Sequence, residues 1–310
     1  MARLIFVHGM NNQGNKAEDI KRVWGGALNQ TLQSNGLPQI AEEKIIAAEY
    51  GDLLHDMAAD RSNDTDEQEL EKFADLLNNE FALYEDDQSG EPSYLVGEVD
   101  ELVLNEGFRA DEGRDGERAG DRGLGKRLGH TRISITAAHL VNDIFPGASR
   151  LVLSSFMKQT GAYLNHKDVF EDINQTVKQQ VFEDGDDELV IVSHSLGTAV
   201  AYYLLCQGLG KGRVKALYTI GSPLGIDFFL RGLEGRGANL SYPEELPKWY
   251  NCWDKRDFVS LNKAVDDSTI GFSGATNINT FNTSKQDRHA IVSYLRHEFL
   301  ARMIYSDFKS

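Results

Sequence analysis

Glu188-Leu189-Val190-Ile191-Val192-Ser193-His194-Ser195-Leu196-Gly197 is the stretch on which the reading of this chain turns. Its apolar run does not alternate, which marks a strand buried on both faces of a parallel sheet. Thr198 to Gln207 follows at once as a strongly helical, apolar segment. A buried strand that turns abruptly into a helix at S-x-S-x-G places the central serine on a strained corner with its hydroxyl exposed. Ser195 is therefore the candidate nucleophile. Small residues are needed two before and two after it, because strand and helix approach each other closely there. Gly197 meets that need, and Ser193 stands where glycine is commoner.

Working upstream, Val169, Ile173, Val177 and Val181 recur every four residues across Asp168 to Phe182 and predict an amphipathic helix leading into that strand. At the beginning of the sequence, Arg3 to Val7 is a short apolar strand ending in His8-Gly9. Ala17 to Gln33 follows as a helix with Ile20, Val23, Trp24, Ala27, Leu28 and Leu32 on its apolar face, stopped at Asn35-Gly36. Lys44 to Tyr50 reads as a second strand with Gly51-Asp52 as its turn. Downstream of the serine, strands are expected at Lys215 to Ile220, Lys248 to Trp253 and Asn277 to Thr283, then a terminal helix from Ala290 to Tyr305. Strands alternating with helices imply an α/β fold: a mostly parallel sheet covered on both faces.

The alternation breaks between Leu53 and Leu164. That segment predicts a helical stretch near Gln68 to Tyr84, a mobile loop from Gly107 to Gly129 with seven glycines among charged residues, and apolar helices from Ile133 to Leu164. The organisation expected is a core built from residues 1–52 and 165–310, with 53–164 inserted as an acidic, helical cap or lid and 107–129 as its flexible loop. An insertion between the early strands and the serine corner emerges at the carboxyl edge of the sheet, where ligands bind.

The chain has 310 residues, of which 41% are hydrophobic and 26% charged, the balance of an ordinary globular protein. No stretch approaches the ~20 apolar residues of a membrane span. The opening residues resemble neither a secretory nor a transit signal, so a cytoplasmic address is expected. A net charge of −16 argues against nucleic acid and anionic membranes as partners. The charge is concentrated: His55 to His130 holds 22 acids against eight Lys and Arg, leaving the remainder nearly neutral. Such a run reads as a solvated surface. Cys206 and Cys252 have no disulfide or zinc spacing and are expected to be buried. The glycines near Gly9 and Gly14 form no nucleotide loop, and Asp64-Thr65-Asp66-Glu67 lacks the glycine of a calcium loop. No metal and no cofactor are expected.

Val7-His8-Gly9 after an early strand and His194-Ser195-Leu196-Gly197 at the corner resemble the lipase and esterase members of the α/β-hydrolase superfamily. The similarity extends to Thr219 to Leu224, Trp253 to Ser260 and Arg288 to Leu295, and leaves out the acidic middle. In that family nucleophile, acid and histidine follow in that order. The resemblance implies an acid in Asp254-Lys255-Arg256-Asp257-Phe258-Val259, with Asp257 favoured, Asp254 as the alternative, and Phe258 standing in place of a proline. Only His289 and His297 come after the acid. His289 sits between the last strand and the terminal helix and is the expected base, whereas His297 falls within the helical run. Such a triad would acylate Ser195 through His289, oriented by Asp257. Two backbone N–H groups would complete an oxyanion hole: Leu196 at the start of the helix and, by the family's pattern, Met10. His8 and Gly9 would shape that loop, and His194 would pack beside the nucleophile. The function so implied is serine hydrolysis of a small-molecule or lipid carboxylic ester. Thioester or amide cleavage, and an inactive binding or scaffold protein on the same fold, are the alternatives; a protein partner for the acidic loop is left undefined.

Overall fold

A computed structural model describes residues 2–60 and 150–310, apart from 184, 258, 262 and 284–287, and describes no side chain in 150–157. The expectations for Gln68 to Tyr84, Gly107 to Gly129 and most of Ile133 to Leu164 lie outside the described residues.

Six strands form one sheet: β1 (Ala2–Val7), β2 (Ile45–Ala48), β3 (Glu188–His194), β4 (Val214–Ile220), β5 (Trp249–Asp254) and β6 (Thr276–Phe281). Their order is β2-β1-β3-β4-β5-β6, and every pairing is parallel. Parallel neighbours require crossovers, and the helices that make them cover both faces. Two apolar layers result. Ile5, Val7, Leu189 and Ile191 point to one, shared with α3 (Gly51–Asp60), α4 (Arg150–Asn165), α5 (Lys167–Phe182), α6 (Leu196–Cys206) and α7 (Asp227–Gly235). Leu4, Phe6, Val190 and Val192 point to the other, shared with α1 (Ala17–Ile20), α2 (Gly26–Ser34), α8 (Ile291–Leu295) and α9 (Glu298–Lys309). This two-sided burial is why the strands read as unbroken apolar runs.

Sequence and structure part company in five places. Gly51 and Asp52 begin α3 instead of making a turn, and Leu54 and Ala58 carry this helix into the core of the sheet. Tyr163 and Leu164 of α4 do the same, so both described flanks of the 53–164 segment are core elements. The predicted helix from Ala17 is interrupted by a π turn over Lys21–Gly25. A π turn shifts the angular position of the residues that follow, and Val23, expected on the buried face, is exposed while Trp24 is buried. The terminal helix divides at Arg296 and His297: His297 is extended as the cap of α9, with its ring edge-on to Phe281. Helix α7, which buries Phe229, Leu230 and Leu233, was not foreseen.

From β1 the chain crosses first to β2 on one side, and β3 then joins on the other. This reversal falls at the carboxyl ends of β1 and β3, the place where open α/β sheets bind ligands. Val7 pairs with Ser193 there, so His8-Gly9 and Ser195 leave the sheet side by side. Helix α6 fits against β1 only because residue 197 has no side chain: a Cβ would contact His8 O and lie 2.5 Å from Val7 O, both immobile backbone atoms. Gly197→Ala is expected to destabilise the fold by ~1–3 kcal/mol, measured as a lower urea midpoint at an unchanged m value.

Candidate active site

Ser195 links β3 to α6 with φ +54° and ψ −133°, a backbone conformation that side-chain-bearing residues seldom adopt and that costs ~1–3 kcal/mol. It is held by its neighbours. The Ser195 N–H donates to Ile220 O at 3.0 Å, and Ser195 O accepts from Thr198 N at 3.0 Å and Thr198 Oγ1 at 2.7 Å. The hydroxyl is the exception: expected to be exposed at such a corner, Ser195 Oγ is instead buried and has no hydrogen-bond partner among the described residues. A buried hydroxyl left unbonded loses stability. Gly9 lies against it so closely that a Cβ there would come within 2.5 Å of Ser195 Cβ and 3.0 Å of Oγ. Ser193, in glycine's usual place, sends its hydroxyl to Tyr218 O at 2.9 Å and so leaves the corner clear.

Of the two candidate acids, the one in contact with His289 is Asp257. His289 Nδ1 lies 2.9 Å from Asp257 Oδ1 and 3.0 Å from Oδ2. In this position Nδ1 can donate to the carboxylate. Asp257 is 1% exposed and is further bound by the Val259 N–H at 2.9 Å and the Tyr294 hydroxyl at 2.7 Å. Asp254 is occupied elsewhere. Its carboxylate accepts from Arg256 N, Nε and Nη2 and from Thr283 N and Oγ1, which ties the end of β5 to the chain beyond β6. Burial would raise its pKa, but the Arg256 and Thr283 bonds together hold it below the ordinary carboxylate value. The Phe258 position lies outside the described residues.

The carboxylate–imidazole pair reaches the serine corner through Gly221. A Cβ on Gly221 would stand 2.7 Å from Asp257 Oδ2 and 3.0 Å from His289 Nδ1, and Gly221 follows Ile220, which binds the Ser195 N–H. The rings of His194 and His289 lie 4.5 Å apart, and His194 Nε2 donates to His289 O at 2.7 Å. The residue preceding the serine thus holds the backbone of the candidate base. Ser195 Oγ makes no hydrogen bond to His289. His297 is not part of this group; its ring lies by Asn282.

His8 is fully buried with both ring nitrogens engaged: Nδ1–H donates to Gly9 O at 2.6 Å, and Nε2 accepts from Tyr50 N at 3.3 Å. Burial lowers its pKa to about 4. Tyr50 stacks on the ring and its hydroxyl donates to His8 O. A neutral imidazole with no spare nitrogen shapes the loop and cannot act as a second base. Burial, then the neighbouring His289, likewise lower the pKa of His194. Leu196 N–H lies in the first turn of α6, where helix amides have no intrahelical acceptor. Met10 follows Gly9 in the loop after β1 and packs, partly buried, against the apolar layer that holds α6.

Among the described residues no group of His, Cys, Asp and Glu is arranged to hold a metal ion, and no helix is long and apolar enough to cross a membrane. Cys252 is buried, as expected, and Cys206 partly so. Comparison with protein-family models and with curated proteins finds no match to this chain.

Tyr294 escaped sequence reasoning. Its hydroxyl donates to Asp257 Oδ2 and accepts from Asp254 N at 2.8 Å, so one side chain spans both aspartates. Its position in the segment after His289 was the sole clue in the sequence. Tyr294→Phe leaves two buried partners unmatched and is expected to cost ~1–3 kcal/mol in denaturant unfolding. The neutral histidines generate a second expectation. His8 binds its proton only near pH 4 when folded but near 6.5 when unfolded, so the unfolded state holds more protons between those values and stability falls as pH drops through that window. His194 acts in the same direction. Urea midpoints should decline from pH 7 toward pH 4.5, and less steeply in His8→Gln; equal slopes in the two proteins would contradict the account.

Proposed function

We propose that the chain is a serine hydrolase of the α/β-hydrolase type that cleaves carboxylic esters, with Ser195, His289 and Asp257 as its triad. The observation that carries the reading is the buried, unbonded Ser195 hydroxyl on a positive-φ strand-to-helix corner, linked through Ile220-Gly221 and His194 to an imidazole whose Nδ1 is held by a buried carboxylate. A serine hydroxyl is a weak nucleophile until a base accepts its proton, and the imidazole needs an anion to set its tautomer and stabilise its cation.

In the proposed reaction Ser195 Oγ attacks the ester carbonyl while His289 Nε2 takes the hydroxyl proton. The carbonyl oxygen becomes an oxyanion facing the Leu196 and Met10 N–H groups. Collapse breaks the bond to the alkoxy oxygen, which departs as the alcohol with the proton from His289. Water then enters, gives one proton to His289 and attacks the acyl carbon. The carboxylic acid leaves, and Ser195 regains its proton. Each oxyanion donor is worth about 10²–10³ in rate and the base about 10²–10⁴. Thioesters and amides would meet the same residues, and esters are the reading the resemblance favours.

A fluorophosphonate should label the wild type at one residue, Ser195. Ser195→Ala should abolish labelling and lower hydrolysis of p-nitrophenyl acetate by about 10⁴-fold or more, with its circular dichroism spectrum and urea midpoint retained. An Ser195→Ala protein as active as wild type would refute the reading.

A further inference from the structure

We propose that Gln159, on helix α4, is a positioning residue for the oxyanion-binding peptide; the inference rests on the hydrolase reading above. The amide expected to face the oxyanion is Met10 N–H, which belongs to the Gly9–Met10 peptide. A peptide is planar and trans, so its carbonyl and N–H point in opposite directions. The Gly9 carbonyl accepts from His8 Nδ1, which sets the first plane. That plane can still swing about Met10 Cα unless the next one is also held.

The next peptide, Met10–Asn11, is held at both ends. Its carbonyl accepts from Asn12 Nδ2 at 3.0 Å, and its N–H donates to Gln159 Oε1 at 3.2 Å. Gln159 Nε2 in return donates to Asn11 Oδ1 at 3.2 Å. This two-armed pair grips a residue that stands at φ +57°, a conformation Asn tolerates through local hydrogen bonding. Beside it, the buried Thr160 hydroxyl rests 3.3 Å from Met10 Sδ. Gln159 is itself 3% exposed, although glutamine is seldom buried without a dedicated partner. It comes from the end of the 53–164 segment, 148 residues away from the loop it grips. Geometry at the proposed oxyanion hole therefore depends on how α4 is seated.

The test uses the full chain as wild type, Gln159→Met and Gln159→Glu. Three quantities are measured: the second-order rate of fluorophosphonate labelling, the fraction labelled at the end point, and kcat and KM for p-nitrophenyl acetate. Gln159→Met matches the shape of the side chain but removes both polar arms. It should slow labelling and lower kcat about tenfold or more, a part of the ~10²–10³ due to one oxyanion donor. KM should stay within about twofold and the labelled fraction should be unchanged. Gln159→Glu keeps the acceptor for Asn11 N–H and, with the Asn11 amide turned over, a partner for the second arm. It should recover the rate to within about threefold of wild type. A merely structural role would lower the labelled fraction and leave the rate of the remaining protein at its wild-type value; that result, or failure of Gln159→Glu to recover, overturns the proposal. If Gln159→Met does not fold, Asn11→Gly decides instead: it keeps the left-handed turn and drops one arm, so a loss of about threefold supports the proposal and a wild-type rate overturns it. Absence of labelling at Ser195 in the wild type is a separate outcome, one that removes the hydrolase reading itself and this inference with it.

Discussion

The close approach of three backbone segments at the carboxyl ends of β1 and β3 is the constraint from which the site follows. Gly9 lies against Ser195, Gly197 lies against the carbonyls of Val7 and His8, and Ser195 takes up a positive φ between strand and helix. No side chain separates these segments. The strain at Ser195 persists because its N–H and carbonyl are bonded on both sides, to Ile220 and to Thr198. Rigidity supplied by the two apolar layers beneath is thereby spent on one unbonded hydroxyl. In the proposed chemistry that hydroxyl is the group that must react, and its surroundings cost no reorganisation when it does.

Two aspartates three residues apart take different tasks because their hydrogen bonds differ. Asp254 spends its oxygens on Arg256 and Thr283 and so anchors the chain that returns toward His289. Asp257 meets the imidazole, the Val259 amide and Tyr294. Tyr294 couples them, accepting from the backbone of one and donating to the carboxylate of the other. The placement of the candidate acid is thus a property of a small network that joins β5, the segment after β6 and α8.

Three histidines around the serine corner are differentiated in the same way. His8 is fully buried with each nitrogen committed, His194 is buried with its Nε2 on a carbonyl, and His289 alone has a carboxylate on one nitrogen and a partly exposed ring, 18% accessible. Identical side chains become a loop brace, a backbone tether and a candidate base. The difference lies in burial and partners, not in the residue.

Local pattern was enough to reveal the α/β class, the strand-to-helix corner at Ser195 and the helix that buries Val169, Ile173, Val177 and Val181. Burial on both faces writes an uninterrupted apolar run, and a helix packed on one side writes a period near four. The chain order of serine, acid and histidine reduced the candidates to few and favoured Asp257, yet Asp254 stayed open as the alternative until their partners could be seen. Tyr294 and Gln159 gave no local signal, because the atoms they bind lie 37 and 148 residues away. The π turn that turns Val23 outward, the extended His297 that divides the last helix and the core helix begun at Gly51 were equally hidden. By itself the sequence determined which residue types and which order of elements were available. Only the tertiary structure decided which carboxylate meets the imidazole and which distant helix grips the loop beside the serine, since hydrogen bonds depend on distance and direction in space and leave no period along the chain.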